Sequence, residues 1–264
     1  MPGRLGKMFD RLRGKRAALI TYATAFYPDR KACMDVIRTM LERGADAVEI
    51  GIPFSDPVLD GPVIQESSAS ALAAGATPAG ILVMVSELRR ETEKPLLLMS
   101  YYNPVLRYGL DGFARDAFEA GADAVVIPDL PIEEMSPWKA AGDRAGLDMV
   151  AFCSLTTSGE RIQAAADMSS GFLYCVSLLG TTGIREEISD GLPSFLARVR
   201  KNASCPIAVG LGISTPEQCA RVGKLSDGVI VGSALVKEVM RDGGNRESLG
   251  RAVGKLAEAL KTRE

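Results

Sequence analysis

Short apolar runs alternate with helical segments along this chain, and that pattern constrains the fold more than any other feature. The apolar residues in each run are continuous instead of alternating, which is typical of parallel strands buried on both faces. We predict eight strands, at Ala18 to Ala23, Ala47 to Ile50, Leu96 to Met99, Ala124 to Ile127, Asp148 to Cys153, Phe172 to Val176, Ile207 to Val209 and Gly228 to Val231.

The segments between these runs carry signals for the beginnings and ends of helices. Thr77-Pro78 opens a predicted helix over Ala79 to Arg90, because a threonine can cap the helix and proline is tolerated in its first turn. Two near copies, Gly44-Ala45-Asp46-Ala47-Val48 and Gly121-Ala122-Asp123-Ala124-Val125, each join a helix to the next strand. Their glycines suit the left-handed conformation that often ends a helix.

Eight strand–helix units in 264 residues, without a linker rich in Pro, Gly or Ser, favour a single (β/α)₈ TIM barrel spanning residues 1–264. A doubly wound α/β sheet is the alternative, but neither GxGxxG nor GxxxxGK[ST] occurs. We also expect an extra N-terminal helix within Met1 to Arg16. Its apolar side would carry Leu5, Met8, Phe9 and Leu12.

The composition excludes several classes of function. The chain has no histidine, so it can hold neither a Ser-His-Asp triad nor a histidine-ligated metal. Its 31 Lys and Arg residues against 33 Asp and Glu residues leave no cationic surplus for nucleic acid. Five cysteines without a CxxC pair fit neither a disulfide framework nor a thiolate metal site. No segment has the apolar length of a membrane span, and we expect a cytoplasmic protein without a metal.

Two carboxylates are candidates for acid–base chemistry. Glu49 lies in an apolar strand near its predicted carboxyl end, where an inward side chain would face the mouth of a barrel. Burial would raise its pKa and let it act as acid and then as base. Asp60 follows in a long, turn-rich connection. The alternatives are that Glu49 is a structural strut and that Asp60 bonds its own turn.

Glycine-bearing turns after the last strands suggest an anion site. Gly210-Leu211-Gly212-Ile213-Ser214 and Gly232-Ser233-Ala234 lie where barrels commonly bind phosphate through backbone N–H groups. The alternative is that these glycines only permit close packing. The turn Gly180 to Arg185 resembles a lid between glycine hinges, and Trp138, the only tryptophan, is expected to pack in a helix.

The segment from Gly44 to Pro57, continued by Asp60-Gly61-Pro62-Val63-Ile64-Gln65, closely resembles the signature of the tryptophan synthase α subunit family. Supporting matches extend over nearly the whole chain. They are Leu98 to Pro104, Pro128-Asp129-Leu130-Pro131, Thr156-Thr157, Tyr174 to Ser177, Thr182-Gly183, Gly212-Ile213-Ser214 and Gly232-Ser233-Ala234.

The resemblance implies a lyase that splits indole-3-glycerol phosphate into indole and glyceraldehyde 3-phosphate in tryptophan biosynthesis. It implies Glu49 as the general acid and base and Asp60 as the carboxylate facing the indole N–H. No cofactor would bind this chain, and a β subunit carrying pyridoxal phosphate would receive the indole in an α2β2 heterotetramer. The implied substrate-binding residues are Tyr22, Ile64 and Tyr174, with Leu211, for the indole pocket, and Thr182, Gly183, Gly212, Ile213, Gly232 and Ser233 for the phosphate.

The sequence is also compatible with two other enzymatic functions. One is a freestanding indole-3-glycerol phosphate lyase, and the other is a related barrel acting on a different sugar phosphate. A catalytically degenerate activator subunit is the non-enzymatic alternative. For the partner we expect a docking face at Pro53 to Pro57 and Pro128 to Pro131, with Asp56 available for pairing.

The chain also departs from the family pattern beside the first strand. Thr21 replaces a usual proline, and Ala25-Phe26-Tyr27 occupies a turn where the family usually has glycine and aspartate.

Overall fold

Eight parallel strands pair in sequence order and close into a barrel, with β1 bonded to both β2 and β8. The structure is a computed structural model that describes residues 3–176, 190–210 and 212–261. The strands are β1 Ala18–Thr24, β2 Ala47–Gly51, β3 Leu96–Met99, β4 Ala124–Val126, β5 Asp148–Ser154, β6 Phe172–Val176, β7 Ile207–Gly210 and β8 Gly228–Val231. The predicted TIM barrel is thereby confirmed, each predicted strand ending within one residue of the observed one, and the doubly wound sheet is excluded.

Helices cover the outside of the barrel. They are α1 Arg4–Leu12, α2 Arg30–Glu42, α3 Pro62–Ala73, α4 Pro78–Arg89, α5 Tyr102–Tyr108, α6 Leu110–Glu119, α7 Ser136–Ala145, α8 Gly159–Met168, α9 Leu192–Asn202, α10 Pro216–Gly223, α11 Ser233–Asp242 and α12 Arg246–Ala259, with a 3₁₀ turn at Ile132–Glu134. The side chain of Thr77 caps α4 as predicted, accepting the N–H of Gly80. Trp138 is fully buried in α7, which confirms its packing role.

The strands separate two apolar layers because successive side chains point to opposite faces. Residues such as Leu19, Val48 and Val229 pack outward against the helices. Residues such as Ala47, Leu97 and others on the inner face fill the barrel interior. The predicted N-terminal helix is α1, and its Leu5, Met8, Phe9 and Leu12 are buried in this inner cluster. The helix therefore contributes to the layer that fills the barrel.

The repeated Gly-Ala-Asp-Ala-Val motif has a structural reason at the amino ends of the strands. Gly44 and Gly121 adopt φ of 118° and 91°, the left-handed region that glycine favours. The following aspartates accept the N–H of the preceding strand: Asp46 from Leu19 at 2.9 Å and Asp123 from Leu96 at 2.8 Å.

Arginines complete these contacts. The two terminal nitrogens of Arg16 donate to the two carboxylate oxygens of Asp46 at 2.6 and 2.8 Å, and Arg89 donates to the Asp123 carboxylate at 2.7 Å. Asp227, just before β8, repeats the arrangement by accepting the N–H of Ile207 at 2.8 Å. The carboxylates at this end of the barrel therefore hold neighbouring strands in register.

No single helix in the described part of the chain has the length and apolar composition of a membrane span. Helices α3 and α4 reach both only as a pair, with a 99° bend between them.

Candidate active site

Glu49 lies on the inner face of the barrel at the carboxyl end of β2. Ala47, two residues earlier, belongs to the inner layer, and Glu49 follows it on the same face. Its neighbour in the strand register is Tyr22 of β1. The residue is 2% exposed, and its Oε1 atom has no hydrogen-bond partner in the described part of the chain. A carboxyl in this position is buried at the mouth of the barrel.

Asp60 reaches the same mouth from the loop between β2 and α3. Its backbone is held at both ends, because its N–H donates to the Pro57 carbonyl at 3.0 Å and its own carbonyl accepts the Gln65 amide at 2.7 Å. The side chain is 5% exposed, and Oδ1 has no partner among the described residues. Asp60 is thus a second buried carboxyl with an available oxygen.

One cavity brings most of the predicted site residues together. It encloses about 40 Å³, whereas ligand pockets usually enclose about 300 to 1,000 Å³. The lining residues are Tyr22, Glu49, Asp60, Ile64, Met99, Tyr174, Gly212, Ile213, Ile230, Gly232 and Ser233.

Burial controls the ionisation of both carboxyls. Loss of solvent and, second, the charge of Asp60 raise the pKa of Glu49 to about 8. Burial also raises the pKa of Asp60 to about 6, opposed by a hydrogen bond from Tyr101. Near neutral pH the site therefore holds one protonated and one ionised carboxyl, the arrangement that acid–base catalysis needs.

Two glycines make room for the aromatic walls of the cavity. A Cβ at Gly51 would lie 2.0 Å from the Tyr22 hydroxyl, and one at Gly210 would lie 2.2 Å from the Tyr174 hydroxyl. Tyr174 also stacks on Phe152 with ring centroids 4.5 Å apart. Each tyrosine therefore depends on a bare backbone in the adjacent strand.

The glycine turns after β7 and β8 converge on the same cavity. Gly212 adopts φ of 84°, in the left-handed region, and Gly232 is the residue before α11. Ile213 and Ser233 accompany them in the cavity wall. Backbone N–H groups at the start of a ten-residue helix favour an anion here.

Comparison with known proteins places this architecture in a family. The family described as "Tryptophan synthase alpha chain" matches residues 9–263. The chain belongs to the tryptophan synthase alpha chain family. Its relatives include the tryptophan synthase alpha chain of Geotalea uraniireducens, 46% identical over 92% of each chain. The alpha chain of Geobacter sulfurreducens is 45% identical over 98% of this chain and 97% of its own.

Solved structures agree with the family. A chain in the structure of Mycobacterium tuberculosis tryptophan synthase superposes with a TM-score of 0.92 at 36% identity, covering 99% of this chain and 100% of that one. The tryptophan synthase subunit alpha of Legionella pneumophila gives a TM-score of 0.91 at 34% identity over 98% of both chains.

The turn after β1, where we expected a departure from the family pattern, contains a residue with a glycine-like backbone. Phe26 adopts φ of 64°, a left-handed conformation that side chains disfavour. Its ring is half-buried and packs against the core, and a Cβ at Gly80 would lie 3.4 Å from it. Packing of the ring therefore accompanies the unfavourable backbone conformation.

Sequence reasoning located most of the cavity and missed three of its surrounding residues. Met99 and Ile230 line it, and inner-face periodicity could have found both, since they follow Leu97 and Gly228 by two positions. Tyr101 lies beside Asp60; it belongs to the family-matching segment Leu98 to Pro104, but nothing in that segment indicates its contact with Asp60. The predicted residues Thr182, Gly183 and Leu211, with the turn Gly180 to Arg185, lie outside the described residues.

No group of three or more His, Cys, Asp or Glu side chains in the described ranges is arranged to hold a metal ion.

Proposed function

We propose that this chain, as the α subunit of a tryptophan synthase, cleaves indole-3-glycerol phosphate into indole and glyceraldehyde 3-phosphate. The observation that carries the proposal is the pair of buried carboxyls, Glu49 and Asp60, at one cavity, each with an oxygen that no described residue bonds. A retro-aldol cleavage of this substrate needs only proton transfers at defined atoms. Two carboxyls of different pKa can supply them.

Protonation of the indole ring is the first step. The Glu49 carboxylic acid donates its proton to C3, the ring carbon that bears the glycerol chain, and becomes a carboxylate. The resulting positive charge is shared with the ring nitrogen, whose N–H faces the Asp60 carboxylate. Charge stabilisation inside a buried cavity is stronger than in water.

Bond cleavage follows and regenerates the acid. The Glu49 carboxylate takes the proton of the hydroxyl next to the breaking bond, and that carbon becomes the aldehyde of glyceraldehyde 3-phosphate. The bonding electrons return to C3 and neutralise the ring, which leaves as indole. Glu49 ends the cycle protonated, as its raised pKa favours.

The cavity walls divide the recognition of the substrate. Tyr22, Ile64 and Tyr174 provide an aromatic and aliphatic wall for the indole ring. The backbone at Gly212-Ile213 and at Gly232-Ser233 would hold the phosphate, together with Thr182-Gly183. Leu211 would contact the indole ring. Remote phosphate binding fixes the orientation of the reacting carbon relative to Glu49.

The β subunit would dock at the mouth of the barrel. A groove of about 410 Å³ lies between the β2–α3 loop and the segment after β4, lined in part by Leu59, Pro128 and Pro131. Val58 at its edge is 68% exposed. Asp56 accepts a hydrogen bond from Ser55 at 2.5 Å and is exposed in the same β2–α3 loop. A β subunit bound at this groove would cover the site and could receive the indole.

The two carboxyls and the family weigh against the alternatives. A degenerate activator would have no need of a paired acid and base, and both residues are retained. A freestanding lyase would not need a β subunit, whereas the family is that of the synthase alpha chains.

The central test is indole release from indole-3-glycerol phosphate by Asp60→Asn. Loss of the negative charge should lower kcat about 10²-fold or more. Asp143→Asn, which alters an exposed aspartate paired with Lys139 on α7, is the matched control and should retain activity. Equal turnover by Asp60→Asn and the parent chain would refute the proposed role of Asp60.

A second test separates the synthase subunit from the freestanding lyase. Addition of a β subunit should raise turnover, and Asp56→Ala should reduce that rise more than the activity of the isolated chain. Full activity of the isolated chain, unchanged by the β subunit, would favour the freestanding enzyme.

A further inference from the structure

We propose that Tyr101 is a positioning residue of this reaction, whose hydroxyl fixes the β2–α3 loop to the end of β3 and so sets the place of the Asp60 carboxyl. The inference rests on the proposed function, because it assigns a task to the residue that supports Asp60.

The backbone of Tyr101 is fixed by the barrel. Its neighbour Ser100 donates its N–H to the Val126 carbonyl at 3.0 Å, and the Ser100 hydroxyl donates to the Tyr101 carbonyl at 3.0 Å. On the other side, the N–H of Tyr102 donates to Asp129 at 2.8 Å. These hydrogen bonds fix the backbone of Tyr101 at the carboxyl ends of β3 and β4.

The side chain of Tyr101 holds the β2–α3 loop at successive positions. The hydroxyl oxygen accepts the N–H of Leu59 at 3.0 Å, and the same hydroxyl lies beside the carboxyl of Asp60, where it opposes the rise of that group's pKa. The ring packs on Phe54 with centroids 5.4 Å apart and planes inclined by 33°. A single side chain, 4% exposed, thus links both ends of the loop to the barrel.

The hydroxyl also acts on the charge of Asp60. The described titratable groups that face Asp60 are Glu49 from β2, Tyr22 from β1 and Tyr174 from β6, with Tyr101 itself, which also faces Asp129. Every one of these groups is neutral or anionic, and the Tyr101 hydroxyl is the one among them that lowers the pKa of Asp60 and so favours its carboxylate. Removing this donor should raise the pKa of Asp60.

The test compares two tyrosine variants that lose the same chemical group. Tyr101→Phe keeps the ring on Phe54 and removes the hydroxyl. Tyr108→Phe is the control, because the Tyr108 hydroxyl also donates to an aspartate, Asp116, at 2.8 Å, but on the outer helices. We expect Tyr101→Phe to lower kcat about 10- to 100-fold with KM changed about twofold at most.

The pH profile separates positioning from general support of the fold. For Tyr101→Phe the acidic limb of kcat/KM should move to higher pH, because more alkaline conditions are needed to ionise Asp60. For Tyr108→Phe the limb should stay in place. Phe54→Leu, which keeps the Tyr101 hydroxyl and removes the ring that packs on Tyr101, should also leave the limb in place while turnover falls.

Three outcomes would decide the inference. An unchanged kcat and acidic limb in Tyr101→Phe, with Asp60→Asn inactive, would overturn the role of Tyr101 and leave the proposed function standing. Equal losses of activity in Tyr101→Phe and Tyr108→Phe, with no shift of the limb, would also overturn it. Full activity of Asp60→Asn would instead refute the proposed function.

Discussion

The two ends of the barrel bury carboxylates in opposite ways. At the amino ends of the strands, Asp46 is 4% exposed and has both an arginine and a strand N–H as partners. At the carboxyl ends, Glu49 and Asp60 are equally buried, yet each keeps an oxygen that no described residue bonds. Burial alone therefore does not distinguish a structural carboxylate from a reactive one; the partners do.

The difference has an energetic basis. A buried charge is costly unless it is paired and hydrogen-bonded, and the arginine pairs at the amino ends of the strands meet that condition. Asp123 shows the balance: burial raises its pKa, while the Leu96 N–H and Arg89 oppose the rise. Glu49 has no such opposing contact, and burial with the charge of Asp60 raises its pKa to about 8. One end of the barrel uses carboxylates for stability, and the other keeps one protonated.

The largest effect should come from Glu49→Gln, which keeps the shape of the side chain and removes the transferable proton. Indole release should fall about 10²- to 10⁴-fold while the thermal midpoint does not drop. Glu42→Gln, at an exposed glutamate paired with Arg246, is the control and should remain active. Turnover of Glu49→Gln close to that of the parent would remove Glu49 from the acid–base role.

At the amino ends of the strands we expect the opposite result, a loss of stability without a loss of turnover. Asp46→Asn leaves Arg16 without its buried partner and should lower the free energy of unfolding by about 3 kcal/mol, measured by urea denaturation. Turnover per folded molecule should stay near that of the parent at low temperature. Asp10→Asn, at an exposed partner of Arg13, should change stability by less than about 1 kcal/mol. A turnover defect in Asp46→Asn without a stability defect would break the contrast between the two ends.

The pH dependence of stability should reveal the carboxyl without a compensating cation. In the folded chain the pKa of Glu49 is about 8, against a usual value of 4.5. Between these values the unfolded chain has lost a proton that the folded chain keeps, so Glu49 makes unfolding more favourable by up to about 1.4 kcal/mol per unit as pH rises. Its stabilising contribution is complete below pH 4.5 and lost as pH rises through about 8.

Thermal unfolding from pH 5 to pH 8 measures this contribution. The advantage in midpoint of Glu49→Gln over the parent should grow across that range, since glutamine does not titrate. A constant difference between the two chains would mean that Glu49 is already ionised in the folded state.

Sequence reasoning reached the two ends of the barrel unequally. The strands could be predicted because continuous apolar runs reflect burial on both faces, and Glu49 stood out as a charge within such a run. The repeat around Asp46 was visible, but its arginine partner was not, because side-chain pairing depends on tertiary geometry. Tyr101 was missed for the same reason: its contacts with Leu59 and Asp60 join residues about forty positions apart, without periodicity.

The smallest predicted effect tests whether a missing partner alone marks a functional group. The Thr21 hydroxyl is buried without a described partner, but Thr21 lies one position from the inward-facing Tyr22 and points to the helical layer instead of the cavity. Thr21→Val should therefore raise the free energy of unfolding by about 1 kcal/mol and leave indole release unchanged. Thr39→Val is the control: the Thr39 hydroxyl donates to the backbone carbonyl of Asp35 at 2.7 Å and accepts from the Arg246 side chain at 3.1 Å, so its loss should destabilise the chain. A loss of turnover in Thr21→Val as large as that expected for Glu49→Gln would contradict this distinction. An unpartnered polar atom near the carboxyl ends of the strands would then be functional even where it faces the outer layer.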